Sequence, residues 1–460
     1  MTAWLSATQI AAGVTAGAFK ASDVIAETLA RIDRLNPRLN AFTAVTADRA
    51  RARASMIDAG QATGPLAGVP FAVKNLFDIA DMPTLAGSKI NRDHPPASTD
   101  SPLITKLEAA GAILVGALNM GEYAYDFTGE NIHDGPSRNP HDLTRMSGGS
   151  SGGSGSAVGG GLVPLALGSD TNGSIRVPSS FCGLFGLKPT YGRLSRAGSF
   201  PFVGSLDHLG PLARTVADLA VSYDVMQGFD PADPACVDRP IEPTLPEIDK
   251  GVSGIRIASA GGYFRAGAAP EALSALDSMA AALGVTQTIA ISDVQLARSA
   301  AYIITTTEGA ALHLDRLRTR PDDFDPDVRD RLIAGALIPA TAVAQAQKIR
   351  RRFREQMLRL FDQVDAILAP ATPCVAPLIG QKTFVLDGKE MPVRPNIGIY
   401  TQPISFIGLP VVAVPVPTAS GLPIGVQIIT APWREDLALR VARTLEAEGA
   451  ARTLTPDLET

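Results

Sequence analysis

Apolar positions recur along this chain in two rhythms. Between Ser22 and Leu35, Ile25, Leu29 and Ile32 repeat at the spacing of one helical face, with Ser22 at the cap position and Asn36-Pro37 as the predicted stop. An Ala- and Arg-rich stretch from Thr46 to Ala59 predicts a second helix, and helical patterns return at 101–111, 214–226, 270–283, 341–362 and 436–448. Between them lie short, predominantly apolar runs. These are 65–73, which closes on Lys74, then 112–118, 162–167, 254–259, 364–370, 410–415 and 425–429. Runs of that length read as strands buried on both faces. A helix followed at once by a buried strand, as at 101–119, is a β-α-β rhythm, which predicts an α/β fold with a mixed, mostly parallel twisted sheet covered by helices. Sheets of that kind take their ligands at loops beyond the strand ends. Residues 228–252, rich in Pro and Asp, predict a surface connection, and no 20–50-residue repeat is present.

Composition narrows the class. Apolar residues make up 45% and charged residues 19%, which implies a large core and excludes a disordered chain. A formal net charge of −5 leaves no basic footprint for direct nucleic-acid contact. The three cysteines, Cys182, Cys236 and Cys374, are far apart and lack metal-type spacing, so neither a disulfide framework nor a metal is expected. The first residues, MTAWLSATQIAAGV, carry no signal-peptide pattern, and no stretch reaches the length of a membrane span. A cytoplasmic protein working without metal or organic cofactor is the expectation.

The candidate chemistry lies between Met146 and Cys182, where Ser150 and Ser174 stand in glycine-rich settings on either side of an apolar run. A flexible linker would have that composition but would not pass directly into a buried strand. The residues Gly148-Gly149-Ser150-Ser151-Gly152 match the nucleophile-elbow pattern, yet the preceding Asn139–Arg145 is polar and interrupted by Pro140, where an elbow requires a strand. None of the lysines has a serine three positions before it, so a lysine base paired with serine in that way is also absent. Lys74, closing an apolar strand, is the remaining lysine candidate. To act as a base it must be neutral, and burial lowers an amine from its ordinary value of about 10.4. Its alternative is an ordinary ammonium paired with a carboxylate such as Asp78.

Taken together, GVPFAVKN around Lys74, GGSSGGSGSAV around Ser150 and GSDTNGSIRVPSSFCGLFGLKPTYG around Ser174 resemble the amidase signature family. LAPATP at 368–373, FIGLPVVAVP at 406–415 and GLPIGVQII at 421–429 extend the resemblance over nearly the whole chain. It implies one large domain over residues 1–455, with helices of about residues 1–60 as an oligomerisation or partner-binding element and 456–460 as a frayed tail. It also implies Ser174 as nucleophile, Ser150 after a cis peptide bond as proton relay, and Lys74 as general base. The backbone N–H groups of Thr171, Asn172, Gly173 and Ser174 are the implied oxyanion hole. Many family members carry glycine where this chain has Asn172. Asp170 and Arg176 are expected to form a supporting ion pair, and Cys182 a packed thiol.

Within the family, the stretches 75–92, 192–212 and 307–326 resemble the members that hydrolyse carboxybiuret in bacterial cyanuric acid degradation. A small, anionic, urea-like amide substrate is implied, with Tyr123, Tyr125, His313, Arg316, Arg318 and Arg320 as candidates for holding it. The alternative within the family is the glutaminase (A) subunit of a tRNA-dependent amidotransferase. A noncatalytic scaffold is disfavoured by the presence of Lys74, Ser150 and Ser174. Both enzymatic relatives work with a small helical companion, similar to the amidotransferase C subunit, so a companion and an oligomer are expected here, without contact to nucleic acid or membrane.

Overall fold

Strand order is where the chain departs furthest from the pattern of its apolar runs. The computed structural model describes residues 2–458. Its strands are β1 (Phe42–Val45), β2 (Pro70–Lys74), β3 (Ile113–Leu118), β4 (Arg138–Asn139), β5 (Asp142–Met146), β6 (Leu165–Asp170), β7 (Phe185–Lys188) and β8 (His208–Ala213). The second half adds β9 (Ile257–Ala260), β10 (Thr288–Ile289), β11 (Ala366–Pro370), β12 (Thr383–Leu386), β13 (Lys389–Pro392), β14 (Val411–Pro417) and β15 (Pro423–Thr430). Eleven of them form one mixed sheet in the order β1-β3-β2-β6-β8-β7-β14-β15-β11-β9-β10, with β4-β5 and β12-β13 as separate ribbons. The sheet is helix-covered and mixed as expected, but not mostly parallel. Parallel pairs are confined to its flanks, β3-β2-β6 and β11-β9-β10, while the centre from β6 to β11 is antiparallel throughout. Strands buried on both faces have the same continuous apolar pattern whichever way they pair, so periodicity does not distinguish the two.

Other boundaries move for local reasons. The helix Ala21–Leu39 runs through Pro37 and ends at Asn40, whose φ of 50° closes it in the left-handed region. Asn36 does not stop it. Its carboxamide accepts from Ala41 N at 2.9 Å and Phe42 N at 2.7 Å, guiding the exit into β1. Residues 162–164 precede β6, which ends on Asp170 at the mouth of the serine loop. The helix Val294–Thr319, 26 residues long, has no counterpart among the elements predicted from periodicity. Its buried face is largely Ala, Thr and Gly, including Ala297, Ala301, Thr305 and Gly309, so it has no stripe of large apolar residues to mark it. The tail is docked rather than frayed through residue 458: Leu458 is buried, and Arg38 donates to its carbonyl at 2.6 Å. Residues 459 and 460 lie outside the described residues. Among the described residues, no single helix is long and apolar enough to cross a membrane.

Candidate active site

The glycine-rich stretch after Met146 is a helix, not a flexible link. Residues Gly152–Gly159 are helical and entirely buried, with Ser150 just ahead of the first turn. Glycine is required there by close packing: a Cβ on Gly153 would lie 2.5 Å from both Ala41 O and Asn119 N. The peptide bond between Gly149 and Ser150 is cis.

Lys74 ends β2 beneath this helix and is fully buried. Its Nζ lies 2.6 Å from Ser150 Oγ and 2.8 Å from Ser169 Oγ. Asp78, the alternative partner, instead accepts from the Thr84 hydroxyl. Burial lowers the amine from 10.5 to about 7, against the opposing pull of Asp207, Asp170 and Asp126. An amine at that value is largely neutral just above pH 7, as a base requires.

The loop from Thr171 to Ser174 links β6 to the helix Arg176–Cys182. Asp170, at its root, is fully buried and receives Arg176 bidentately, with Nε to Oδ2 and Nη2 to Oδ1 both at 3.0 Å. It also accepts from Ile175 N at 3.2 Å and Ser405 Oγ at 2.8 Å. Burial alone would raise the Asp170 pKa, but the Arg176 guanidinium drives it well below the usual carboxylate range. Gly173 has φ of +142°, and a Cβ there would lie 2.1 Å from Thr401 Oγ1, whose hydroxyl donates to Asn172 O at 2.8 Å. The backbone N–H groups from Thr171 to Ser174 donate to no backbone carbonyl among the described residues. From the other side, Asp207 accepts from Thr171 Oγ1 at 2.6 Å, and His208 Nδ1 lies 3.0 Å from the Asp170 carbonyl oxygen. The loop is therefore gripped at both ends while its amide donors stay free.

Ser174 lines a small cavity of about 30 Å³ together with Asn172, Tyr125, Thr305, Arg331 and Arg394. A larger chamber, about 180 Å³, adjoins it across Thr171 and Phe202 and reaches Ser169, the second partner of Lys74. Lys74 and Ser150 are fully buried and line neither cavity; Ser169, the second partner of the amine, lines the chamber and Ser174 the smaller cavity.

Comparison with known proteins gives the family. The Amidase family model matches residues 23–439. The chain belongs to the amidase family. It is 52% identical to AtzE, a 1-carboxybiuret hydrolase subunit of Pseudomonas sp. (strain ADP), over 96% of this chain and 98% of that one. It is 35% identical to the A subunit of the glutamyl-tRNA(Gln) amidotransferase of Methylococcus capsulatus, over 97% and 98%. Among solved structures it superposes with a TM-score of 0.97 and 51% identity on an s-triazine catabolic enzyme, described as part of an unexpected vestigial protein complex, covering 98% and 100%. With the Thermotoga maritima counterpart of that amidotransferase A subunit, the TM-score is 0.80 at 30% identity, covering 95% and 94%.

In this amidase most of the residues expected to hold substrate lie elsewhere. Tyr125 does line the Ser174 cavity. Tyr123 does not; its hydroxyl donates to Asn91 Oδ1 at 3.0 Å, and its ring lies tilted against His313 with centroids 4.0 Å apart. His313 is a core ring whose pKa is lowered to about 3 by burial and by Arg316. Arg316 covers the Phe200 ring, Arg318 faces Asp315 at 3.8 Å, and Arg320 pairs with Asp93 and Asp323. All three stand at the wrong end of the right element. Tyr302 and Thr305, on the same long helix, reach the cavity, and at 1.5 Å per residue Arg316 is about 16 Å further along.

The cations at the site are Arg331 and Arg394, neither of which stands out in the sequence. Arg331 lies 3.9 Å over the Tyr125 ring and donates to the Tyr125 carbonyl. Arg394 is ringed by Asp126, Glu130 and Asp327 at 3.5–3.6 Å, beyond good hydrogen-bond geometry. Arg331 sits in a run of mixed charge, DVRDRL, where nothing separates it from Arg329 two residues before. Ser169 and Asp207 are likewise absent from the sequence-based candidates, although each flanks a recognisable motif.

Proposed function

We propose that this amidase hydrolyses the terminal amide of 1-carboxybiuret or a closely similar urea-like anion, with Ser174 as nucleophile, Ser150 as proton relay and Lys74 as base. The observation that carries the reading is the 2.6 Å contact between a fully buried Lys74 amine and Ser150, beside a cavity that holds Ser174 and two guanidinium groups. The 52% identity to a 1-carboxybiuret hydrolase subunit supports the substrate. Ser174 Oγ attacks the terminal carbonyl carbon while its proton passes to Ser150 Oγ and that of Ser150 to Lys74 Nζ. The carbonyl oxygen becomes an oxyanion facing the free N–H groups of the Thr171–Ser174 loop, where each preorganised donor is worth about 3 kcal/mol. The C–N bond then breaks, ammonia leaves with a proton returned through Ser150, and a Ser174 ester remains. Water attacks that ester by the same relay, releasing the acid and restoring the serine.

The Asp170–Arg176 pair holds the loop in register and takes no proton in this scheme. Arg331 and Arg394 supply the positive charge that an anionic substrate requires. The helices within residues 1–60 are the proposed seat of a small helical companion, a reading supported by the description of the solved relative as a protein complex. Three free thiols fit a reducing compartment, the cytoplasm. Ammonia release from 1-carboxybiuret, measured against release from glutamine, tests the assignment. Carboxybiuret turnover that disappears in Ser174→Ala is the expected result, and a preference for glutamine would move the chain to the amidotransferase reading.

A further inference from the structure

Eleven buried side-chain nitrogen and oxygen atoms among the described residues have no hydrogen-bond partner. Three of them, Tyr125 Oη, Asn172 Oδ1 and Arg394 Nη1, belong to residues that line the one small cavity holding Ser174. Buried polar atoms are almost always paired, so unpaired ones gathered on a single cavity point to a ligand that completes them. Arg394 Nη1 has Asp126 Oδ1 at 3.6 Å and Tyr125 has Tyr302 beside it, which leaves Asn172 Oδ1, an atom that only accepts, as the least provided for of the three. A urea-type anion offers the matching N–H.

We propose that Asn172 selects urea-type amides by accepting, on its side-chain carbonyl, the N–H that flanks the scissile carbonyl of the substrate. This rests on the amide hydrolysis proposed above. Asn172 and Ser174 line the same cavity of about 30 Å³, which brings a group bound to the Asn172 side chain close to the carbon under attack. The side chain is oriented. Its Nδ2 donates to Thr305 Oγ1 at 3.0 Å, which leaves Oδ1 as the free end. Its backbone is pinned as well, since Thr401 Oγ1 donates to Asn172 O at 2.8 Å. Thr305 lies on the turn of the long helix that passes the cavity, and Tyr302 lines the same cavity three residues earlier. Where related chains carry glycine, the loop keeps its backbone donors but has no acceptor at this point. A buried acceptor of this kind rejects a methylene in place of N–H, because the methylene leaves it unpaired.

The test uses two anions that differ only there: allophanate, with N–H between carboxylate and carboxamide, and malonamate, with CH₂. Values of kcat/KM for ammonia release from each give a preference ratio, in which any general damage to the loop acts on both substrates and cancels. In Asn172→Gly the allophanate preference of the wild type falls by at least tenfold. Asn172→Asp, which keeps an acceptor, retains the preference even as added negative charge raises KM for both anions. Thr305→Val, which frees the carboxamide to turn, loses part of it. An unchanged ratio in Asn172→Gly overturns the proposal while leaving the hydrolytic reading intact. A wild-type enzyme that releases ammonia from neither carboxybiuret nor allophanate overturns the hydrolytic reading, and this inference with it.

Discussion

Replacing Lys74 with Met probes the buried amine through stability as well as activity. Methionine keeps the unbranched apolar stem and removes the titrating nitrogen. In the folded chain burial brings this group from 10.5 to about 7, while the unfolded chain holds it near 10.4. Between those values the unfolded state binds a proton that the folded state has released, so stability rises with pH across the window and the full penalty applies below pH 7. At about 1.4 kcal/mol per pH unit the whole interval corresponds to about 5 kcal/mol. Applied between pH 6 and pH 9, the same linkage leaves about 3 kcal/mol. Lys74→Met is free of this dependence, so its stability relative to wild type is about 3 kcal/mol more favourable at pH 6 than at pH 9. The hydroxyls of Ser150 and Ser169 lose a partner in the variant, but that loss does not depend on pH and drops out of the difference. Urea denaturation of both proteins at the two pH values measures it, alongside the pH profile of wild-type kcat/KM, which falls with unit slope below about pH 7. Parallel stability curves for the two proteins, or a flat acid limb in the rate, would refute the argument.

Three further outcomes follow from the geometry. Arg316, Arg318 and Arg320 all changed to Gln leave KM for carboxybiuret within about twofold of wild type, since none lines the Ser174 cavity, whereas Arg331→Gln raises it tenfold or more, as steady-state kinetics would show. Gly173→Ala lowers kcat about 100-fold, because a Cβ 2.1 Å from Thr401 Oγ1 pushes the oxyanion donors out of line; near-ultraviolet circular dichroism reports whether the fold survives. Asp170→Asn strands the Arg176 guanidinium in the core and costs about 3–5 kcal/mol in urea unfolding at pH 7.

The parts of the molecule that are legible in advance are those where local sequence and final structure obey the same constraint. Two serines in tight glycine-rich settings report a packing requirement that acts within a few residues. The Asp170–Arg176 pair and the role of Lys74 are legible through the resemblance to the family, since a lysine closing a strand reads by itself as readily as an ammonium paired with Asp78. The direction of the central strands cannot, because pairing is settled between segments such as β6 and β8 that lie some forty residues apart. The long helix escapes notice because small residues let it pack closely: Thr306 O lies 2.2 Å from where a Cβ on Gly335 would be, so neither helix at that contact carries a conspicuous apolar side chain. Charge misleads in a similar way. Arg316 and Arg331 look alike along the chain, and only the place of each in the fold, relative to Ser174, gives one a phenylalanine ring and the other a cavity.

Three of the five histidines are held in contacts of their own, away from the serines. His208 is buried with Nδ1 against the Asp170 carbonyl and its pKa well below 6.5, His313 is packed among Tyr123, Phe200 and Phe324, and the His141 ring lies 3.1 Å from Cys182 O. None is hydrogen-bonded to a serine of the site. A buried lysine brings the opposite problem, because desolvation without compensation could lower its basicity until it no longer took a proton. Asp207, Asp170 and Asp126 act against burial, and the balance leaves the amine near 7. The proposed role of Lys74, taking a proton from Ser150 and giving it back, suits a group with little preference for either state at the working pH. Asp207, in the wall of the adjoining chamber, both opposes the effect of burial on the amine and holds Thr171 at the head of the Ser174 loop.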